Sequence, residues 1–276
     1  MIHQSQGNYE EAIKSYNQSL EISKKLGNKG AIAHTMYTIG NLLQDQGSYQ
    51  EAISLYNQAL EISEELGNKN GIAEIHQSLG MIFQRQGNYE EAMKHFDKSL
   101  KISKELGNKS GIAHTQNSLG KVHFVQGNFK EAIELYNESL EISKDLEDKV
   151  EIALTLRYLG ETYHQHGDYK EAIDLYNQSL KLEKELGSKS GIAQALCVLG
   201  NVYQDQGSYE EALKAYSQSL DIFKELGDKS GIVGVRYEVG MIFQNQGRYD
   251  EAIGLTHLKY KIKCNRQCGQ ICILDS

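Results

Sequence analysis

The chain has 276 residues, 24% of them charged and 39% hydrophobic, with no Pro and no Trp. Its formal charge of -8 at pH 7 argues against a nucleic-acid binder, because phosphate contacts need clustered Lys and Arg. No apolar run is long enough to span a bilayer, no signal peptide is recognisable, and three of the four cysteines fall in the last 13 residues, so a reducing cytoplasm is expected rather than a membrane or a disulfide-stapled secreted setting.

Residues 2–5 read as the end of a helix whose beginning is absent. A helix over 8–26 follows, with Tyr9, Ala12, Ile13, Tyr16 and Leu20 at steps of three and four residues. Asn8 is a good N-cap with Glu11 three residues on, the pattern of a capping box. Gly27 can take the left-handed conformation and stop that helix. The next helix covers roughly 30–45, with a stripe of Ile32, Ala33, Ile39, Leu42 and Leu43, and ends at Gly47. From there the pattern repeats with a period of 40 residues. Gln-Gly returns at 46–47, 86–87, 126–127, 206–207 and 246–247, with His166-Gly167 as the variant. Tyr49, Tyr89, Phe129, Tyr169, Tyr209 and Tyr249 follow two residues later, and Ala52, Ala92, Ala132, Ala172, Ala212 and Ala252 keep register.

The caps recur as Ser48, Asn88, Asn128, Asp168 and Ser208, each with Glu at the third position after it; Arg248 breaks the series. The stops recur as Gly67, Gly107, Gly187 and Gly227, but Glu147 stands in the fourth copy, where a distorted or extended helix end is expected. A second glycine sits in mid-helix at 40, 80, 120, 160, 200 and 240. Glycine there costs about 1 kcal/mol relative to Ala. Close approach of a neighbouring helix, at the small Ala12-type position, would offset it.

Periods of 20–50 residues mark solenoids or propellers, and the helical spacing selects the solenoid. The fold class is therefore all-α, a right-handed α-solenoid of stacked antiparallel helix pairs. Residues 1–29 form an incomplete first repeat with only its second helix. Residues 30–255 form the array, with pairs beginning near 30, 70, 110, 150, 190 and 230. Residues 256–276 diverge. There Cys264, Cys268 and Cys272 are spaced by four, without the paired spacing of a zinc site. A frameshift would account for the divergence, since residues 263–270 read one base later can restore an Ile-Gly-Asn where the period requires Leu-Gly-Asn. Poor order is expected in that tail.

Leu79-Gly80, Phe83, Gly87, Tyr89, Ala92 and Phe96 resemble the tetratricopeptide repeat signature. The resemblance covers residues 1 to about 255. The 40-residue period is similar to that of kinesin light chain and G-protein modulator adaptor repeats and of some bacterial peptide-responsive regulators. It implies a superhelix whose first helices line a concave groove. It also implies that an Asn directly after Leu-Gly, here Asn41 and Asn201, hydrogen-bonds a peptide backbone. Met81, Lys121, Glu161 and Met241 occupy that place in the other copies, so the clamp is incomplete.

On each first helix the groove-facing positions are expected at i, i+4 and i+7. They are Tyr37, Asn41 and Gln44; Gln77, Met81 and Gln84; Asn117, Lys121 and Phe124; Arg157, Glu161 and His164; Cys197, Asn201 and Gln204; and Tyr237, Met241 and Gln244. Carboxamides suit backbone groups, aromatics suit apolar anchors, and Lys121 and Arg157 suit a carboxylate. His164 and His166 lie two apart on a helix and point apart, which does not suit a metal. No nucleotide, zinc-protease or nucleophile motif is present.

The expectation is a non-enzymatic scaffold for a protein or peptide segment, without cofactor, metal, nucleic acid or membrane, and with self-association through exposed end repeats as a further possibility. A peptide-responsive sensor and a fragment of a larger repeat protein are the alternatives.

Overall fold

The computed structural model describes residues 2–249, 261–264 and 271–274, with side chains over 9–249. The chain forms two compact units, Met1–Glu151 and Ile152–Ser276. The first holds α1 (Ile2–Lys25), α2 (Lys29–Asp45), α3 (Tyr49–Glu65), α4 (Lys69–Arg85), α5 (Tyr89–Leu106), α6 (Lys109–Val125) and α7 (Phe129–Asp145). Helix α8 (Lys149–His166) begins in it and runs into the second, which continues with α9 (Tyr169–Glu185), α10 (Lys189–Asp205), α11 (Tyr209–Leu226) and α12 (Lys229–Asn245). Within each unit successive helices pack on one another, and α2, α4 and α6, like α10 and α12, also touch side by side. This is the all-α solenoid expected from the period.

The turns explain why the helices stop where they do. Gly27, Gly67, Gly107, Gly187 and Gly227 all take φ between 64° and 67°. Glu147 takes the same conformation with φ 55°. Helix α7 therefore ends in register at Asp145, and the expected distortion does not occur. The amide of Asp148 still reaches the Ser143 carbonyl at 3.0 Å, as Asn68 reaches Ser63 at 2.9 Å. Keeping those bonds holds the backbone left-handed against the Cβ clash that a non-glycine residue meets there.

The capping boxes are a second correction. Ser48, Asn128, Asp168 and Ser208 make no side-chain cap bond, and Asn88 makes only a long one, 3.4 Å to the Glu91 amide. Each of these residues is also the last of the preceding turn. The Ser48 amide is already committed to the Leu43 carbonyl at 2.8 Å, so Glu51 has no backbone donor to receive. Their ψ angles of 60–74° also swing the side chain away from the helix amides. At the other helix starts ψ is 81–93° and the cap forms: Asn28, Asn68, Asn108, Ser188 and Asp228 accept from the third residue onward at 3.0–3.2 Å.

Helix α1 runs unbroken through Gly7, so neither the expected break there nor the cap at Asn8 is present.

In the tail, β1 (Lys261–Cys264) and β2 (Ile271–Leu274) pair antiparallel, with Cys264 opposite Ile271. The apolar, partly β-branched run at 271–274 favours such pairing. Of residues 256–276 only these two segments are described, and the expectation of poor order in that tail otherwise lies outside the described residues.

The mid-helix glycines have the expected cause but a different partner. A Cβ on Gly40 would stand 2.6 Å from the Tyr56 ring, and one on Gly200 would stand 2.5 Å from the Tyr216 ring. Phe96, Tyr136 and Tyr176 fill the same place against Gly80, Gly120 and Gly160. The nearest atoms belong to the aromatic four residues after the small Ala, not to the Ala itself. The five rings are at most 1% exposed and form the centre of each repeat.

Candidate functional site

The candidate positions lie on the even-numbered helices, in two sets. In the first unit, α2, α4 and α6 carry Tyr37, Asn41 and Gln44; Gln77, Met81 and Gln84; and Asn117, Lys121 and Phe124. In the second, α8, α10 and α12 carry Arg157, Glu161 and His164; Cys197, Asn201 and Gln204; and Tyr237, Met241 and Gln244. Lys121, Glu161 and Gln244 are exposed, Gln44, Gln77 and Asn117 are buried, and the others are half-buried.

Two constellations repeat. The Tyr56 hydroxyl lies 2.6 Å from Asn41 Oδ1 and 3.1 Å from Gln44 Oε1. The Tyr216 hydroxyl lies 2.7 Å from Asn201 Oδ1 and 3.0 Å from Gln204 Oε1. A phenol has one proton, so it can donate fully to only one of its two carboxamide neighbours. The other carboxamide is better satisfied turned over, with its NH₂ toward the phenol oxygen. Each triad therefore holds a carbonyl and an amide on a fixed mount, with Gln44 buried and Asn41, Asn201 and Gln204 half-buried. Burial pushes the pKa values of the Tyr56 and Tyr216 hydroxyls above the usual phenol range, so both keep that proton at neutral pH.

The second copy lacks the mount. Phe96 replaces the tyrosine, Met81 replaces the asparagine, and Gln84 Nε2 is buried without a hydrogen bond. In the fourth copy the Glu161 charge adds to burial in raising the Tyr176 hydroxyl while the Arg157 charge opposes it, and His164 packs edge-on against Tyr169 with ring centres 5.8 Å apart.

Other candidates tie neighbouring helices together. Tyr37 lies 3.4 Å from Ser78. Gln77 donates to Ser118 at 2.7 Å and accepts from Thr115 at 3.0 Å, which commits both ends of its carboxamide. Asn117 donates to Glu151 at 2.7 Å. His114 Nδ1 is 3.8 Å from that carboxylate, and chiefly this imidazole holds Glu151 below the ordinary carboxylate range against the effect of burial. Arg157 donates to Gln194 at 2.5 Å, and His164 Nε2 is 3.0 Å from Asp205. Phe124 packs against Phe129 with ring centres 5.9 Å apart. Burial pushes the Cys197 thiol up to about 12, with Glu238 adding to it, so it is a packed group and not a nucleophile.

Sequence reading missed Ser78, Ser118, Gln194 and Asp205, which complete these links. It also missed that Asn and Gln travel with Tyr: Asn41 and Gln44 with Tyr56, Asn201 and Gln204 with Tyr216. That association was present in the sequence as a pairing at fixed offsets.

One further polar cluster lies between α4 and α5. His76 Nδ1 and His95 Nδ1 are 2.9 Å apart, and His95 stacks on Phe83 with ring centres 5.3 Å apart. One proton shared between the two nitrogens satisfies both rings in the neutral state. Burial, then the His95 and Lys98 charges, lowers His76 to about 4, and His95 is lowered chiefly by burial. Among the described residues no three His, Cys, Asp or Glu side chains are grouped to hold a metal, and no helix is long and apolar enough to cross a membrane.

The family profile described as tetratricopeptide repeat matches residues 1–65, 31–105, 71–145, 111–185 and 191–255. No curated protein matches the sequence significantly. Among solved structures, BtubC (BKLC) from P. vanneervenii is 24% identical, with a TM-score of 0.69 over 80% of this chain and 92% of that one. The apo form of RapI is 19% identical, with a TM-score of 0.72 over 93% of this chain and 92% of that one. The Rap conjugation gene regulator of the plasmid pLS20, in complex with the Phr* peptide, is 15% identical, with a TM-score of 0.67 over 84% of this chain and 74% of that one. At these identities the likeness is one of fold.

Proposed function

Because the chain belongs to the tetratricopeptide repeat family, we propose that it is a non-enzymatic interaction scaffold that holds a peptide or protein segment against its even-numbered helices. The observation that carries this reading is the repeated triad. Asn41 with Gln44 and Asn201 with Gln204 are half-buried or buried carboxamides fixed by Tyr56 and Tyr216. A peptide backbone needs both donors and acceptors at fixed places, and groups already ordered lose little entropy on binding. Arg157 and Lys121 add positive charge for an acidic side chain or terminus.

The test compares the wild-type chain with an Asn41→Ala, Arg157→Ala, Asn201→Ala variant in affinity capture, after circular dichroism shows that the variant remains helical. A partner held by the wild type and lost by the variant supports the reading. A partner held equally by both refutes this face as its site.

The Phr* complex of a structurally similar regulator favours a second reading, a peptide-responsive sensor. A bound peptide that changes the chain's radius of gyration in small-angle scattering would distinguish sensor from scaffold.

A further inference from the structure

The second repeat departs from the template at two facing positions. His76 on α4 and His95 on α5 stand where other repeats place Met36 and Leu55, Leu156 and Leu175, or Leu196 and Ala215. No other repeat has histidine at either position, and here both change together. His76 is 5% exposed, so an imidazole fills a core place that packing alone fills with Met or Leu. A polar pair in such a place adds desolvation that an apolar pair of similar volume avoids.

The pair is also spaced like a chelate. Both rings present Nδ1, and the two atoms are 2.9 Å apart. A zinc ion about 2.0–2.1 Å from each nitrogen would hold them roughly 3.3 Å apart in a tetrahedron, so the rings need part by only a few tenths of an ångström. In the neutral pair each ring carries one N–H. The ring that donates through Nδ1 must move that proton to Nε2, after which both Nδ1 lone pairs serve the ion and no net proton is lost. His95 is half-buried, which leaves the pair a path from solvent. Imidazole nitrogen suits zinc, copper or nickel, whereas magnesium and calcium take oxygen. Lys98 beside both rings opposes a cation, and Glu91, one turn before His95, offsets it there.

We propose that His76 and His95 form a two-histidine site for a borderline divalent metal ion of the zinc class, with water completing the coordination. The ion ties α4 to α5 inside one repeat. The site is separate from the proposed peptide-binding positions, none of which contributes a ligand to it.

The probe is zinc chloride, titrated calorimetrically into the full chain and into a His76→Leu, His95→Leu variant. That variant carries the residues that the fourth repeat has at 156 and 175, so it is expected to fold. Wild type should take up one more zinc equivalent than the variant, and either single change should weaken that site at least about tenfold. The exposed histidines and Cys264, Cys268 and Cys272 are common to all these proteins, so their uptake cancels. Lys98→Gln, which brings in the residue of Gln58, Gln178 and Gln218, should tighten the site. Excess magnesium should not compete. Equal zinc uptake by wild type and the double variant overturns the proposal and leaves a pair that only shares a proton. Competition by magnesium overturns it too. Should the double variant unfold, imidazole nitrogen NMR of the wild type decides: zinc must move the Nδ1 signals of His76 and His95, and signals that stay in place overturn the site.

Discussion

The Tyr56 hydroxyl meets Asn41 Oδ1 at 2.6 Å across the seam between α2 and α3. The same atom that anchors the ring in the core holds the carboxamide of the candidate binding face. Core packing and the proposed binding face are thus joined in one side chain.

That link predicts opposite effects for two substitutions. Tyr216→Phe should cost about 1 kcal/mol, the net worth of a hydrogen bond, and leave Asn201 and Gln204 without their mount. Phe96→Tyr should gain a similar amount by giving Gln84 the partner that it lacks. Urea midpoints of the two variants against wild type check both signs.

The helix glycines separate propensity from packing. Gly30→Ala meets only Asn28 Oδ1 at 3.7 Å, so it should stabilise by up to about 1 kcal/mol. Gly200→Ala drives a methyl to 2.5 Å from the Tyr216 ring, and overpacking of about 1–3 kcal/mol should outweigh the same propensity gain. Thermal melts of the two variants should move in opposite directions.

Glu147 holds a left-handed backbone with φ 55°. Glu147→Gly should therefore stabilise by about 1 kcal/mol. The reverse change, Gly187→Glu, should cost about the same, since Gly187 has φ 66° and open space around a Cβ. Chemical denaturation of both variants would show whether the strain is real.

His76 predicts an acid sensitivity. Its folded value of about 4 lies below the ordinary value of 6.5, so the folded state prefers the neutral ring. The unfolded chain takes up the proton first as pH falls. Stability from this site is whole above about pH 6.5 and is lost progressively down to about pH 4, by up to roughly 3 kcal/mol. Lys98 adds positive charge beside both rings, and Glu91 opposes it at His95. Denaturation midpoints of wild type and His76→Phe at pH 7.5 and pH 5 should differ in slope, with the variant flatter.

The fold was legible because helix stops, apolar steps and period all pointed to one answer, and the glycines at 27, 67, 107, 187 and 227 took the predicted conformation. The N-caps were less legible. Ser48 and Asn28 look alike as residues, but only their ψ angles, set by the preceding turn, decide which one caps. The candidate positions could be read as a pattern along each helix, but their side-chain partners could not. Gln77 and Asn117 read as groove residues, yet they bond to Ser118 and Glu151 on other helices. Pairings across 34 to 41 residues are tertiary facts, and a pattern read along one helix cannot supply them. The Tyr56–Asn41 association was the exception, since two copies carried it and Phe96 with Met81 showed its absence.

The connection between α2 and α3 is held by its own backbone bonds. Gly47 holds φ 81°, the Ser48 amide binds Leu43, and the Ser48 carbonyl receives the Ala52 amide. An inserted residue would undo both bonds and rotate the following helix off its seat. Forty inserted residues, placed at the same point, would recreate every seat. The gene can therefore grow or shrink readily only by duplicating or deleting one whole unit, so lineages of this chain should differ in length by multiples of 40 codons.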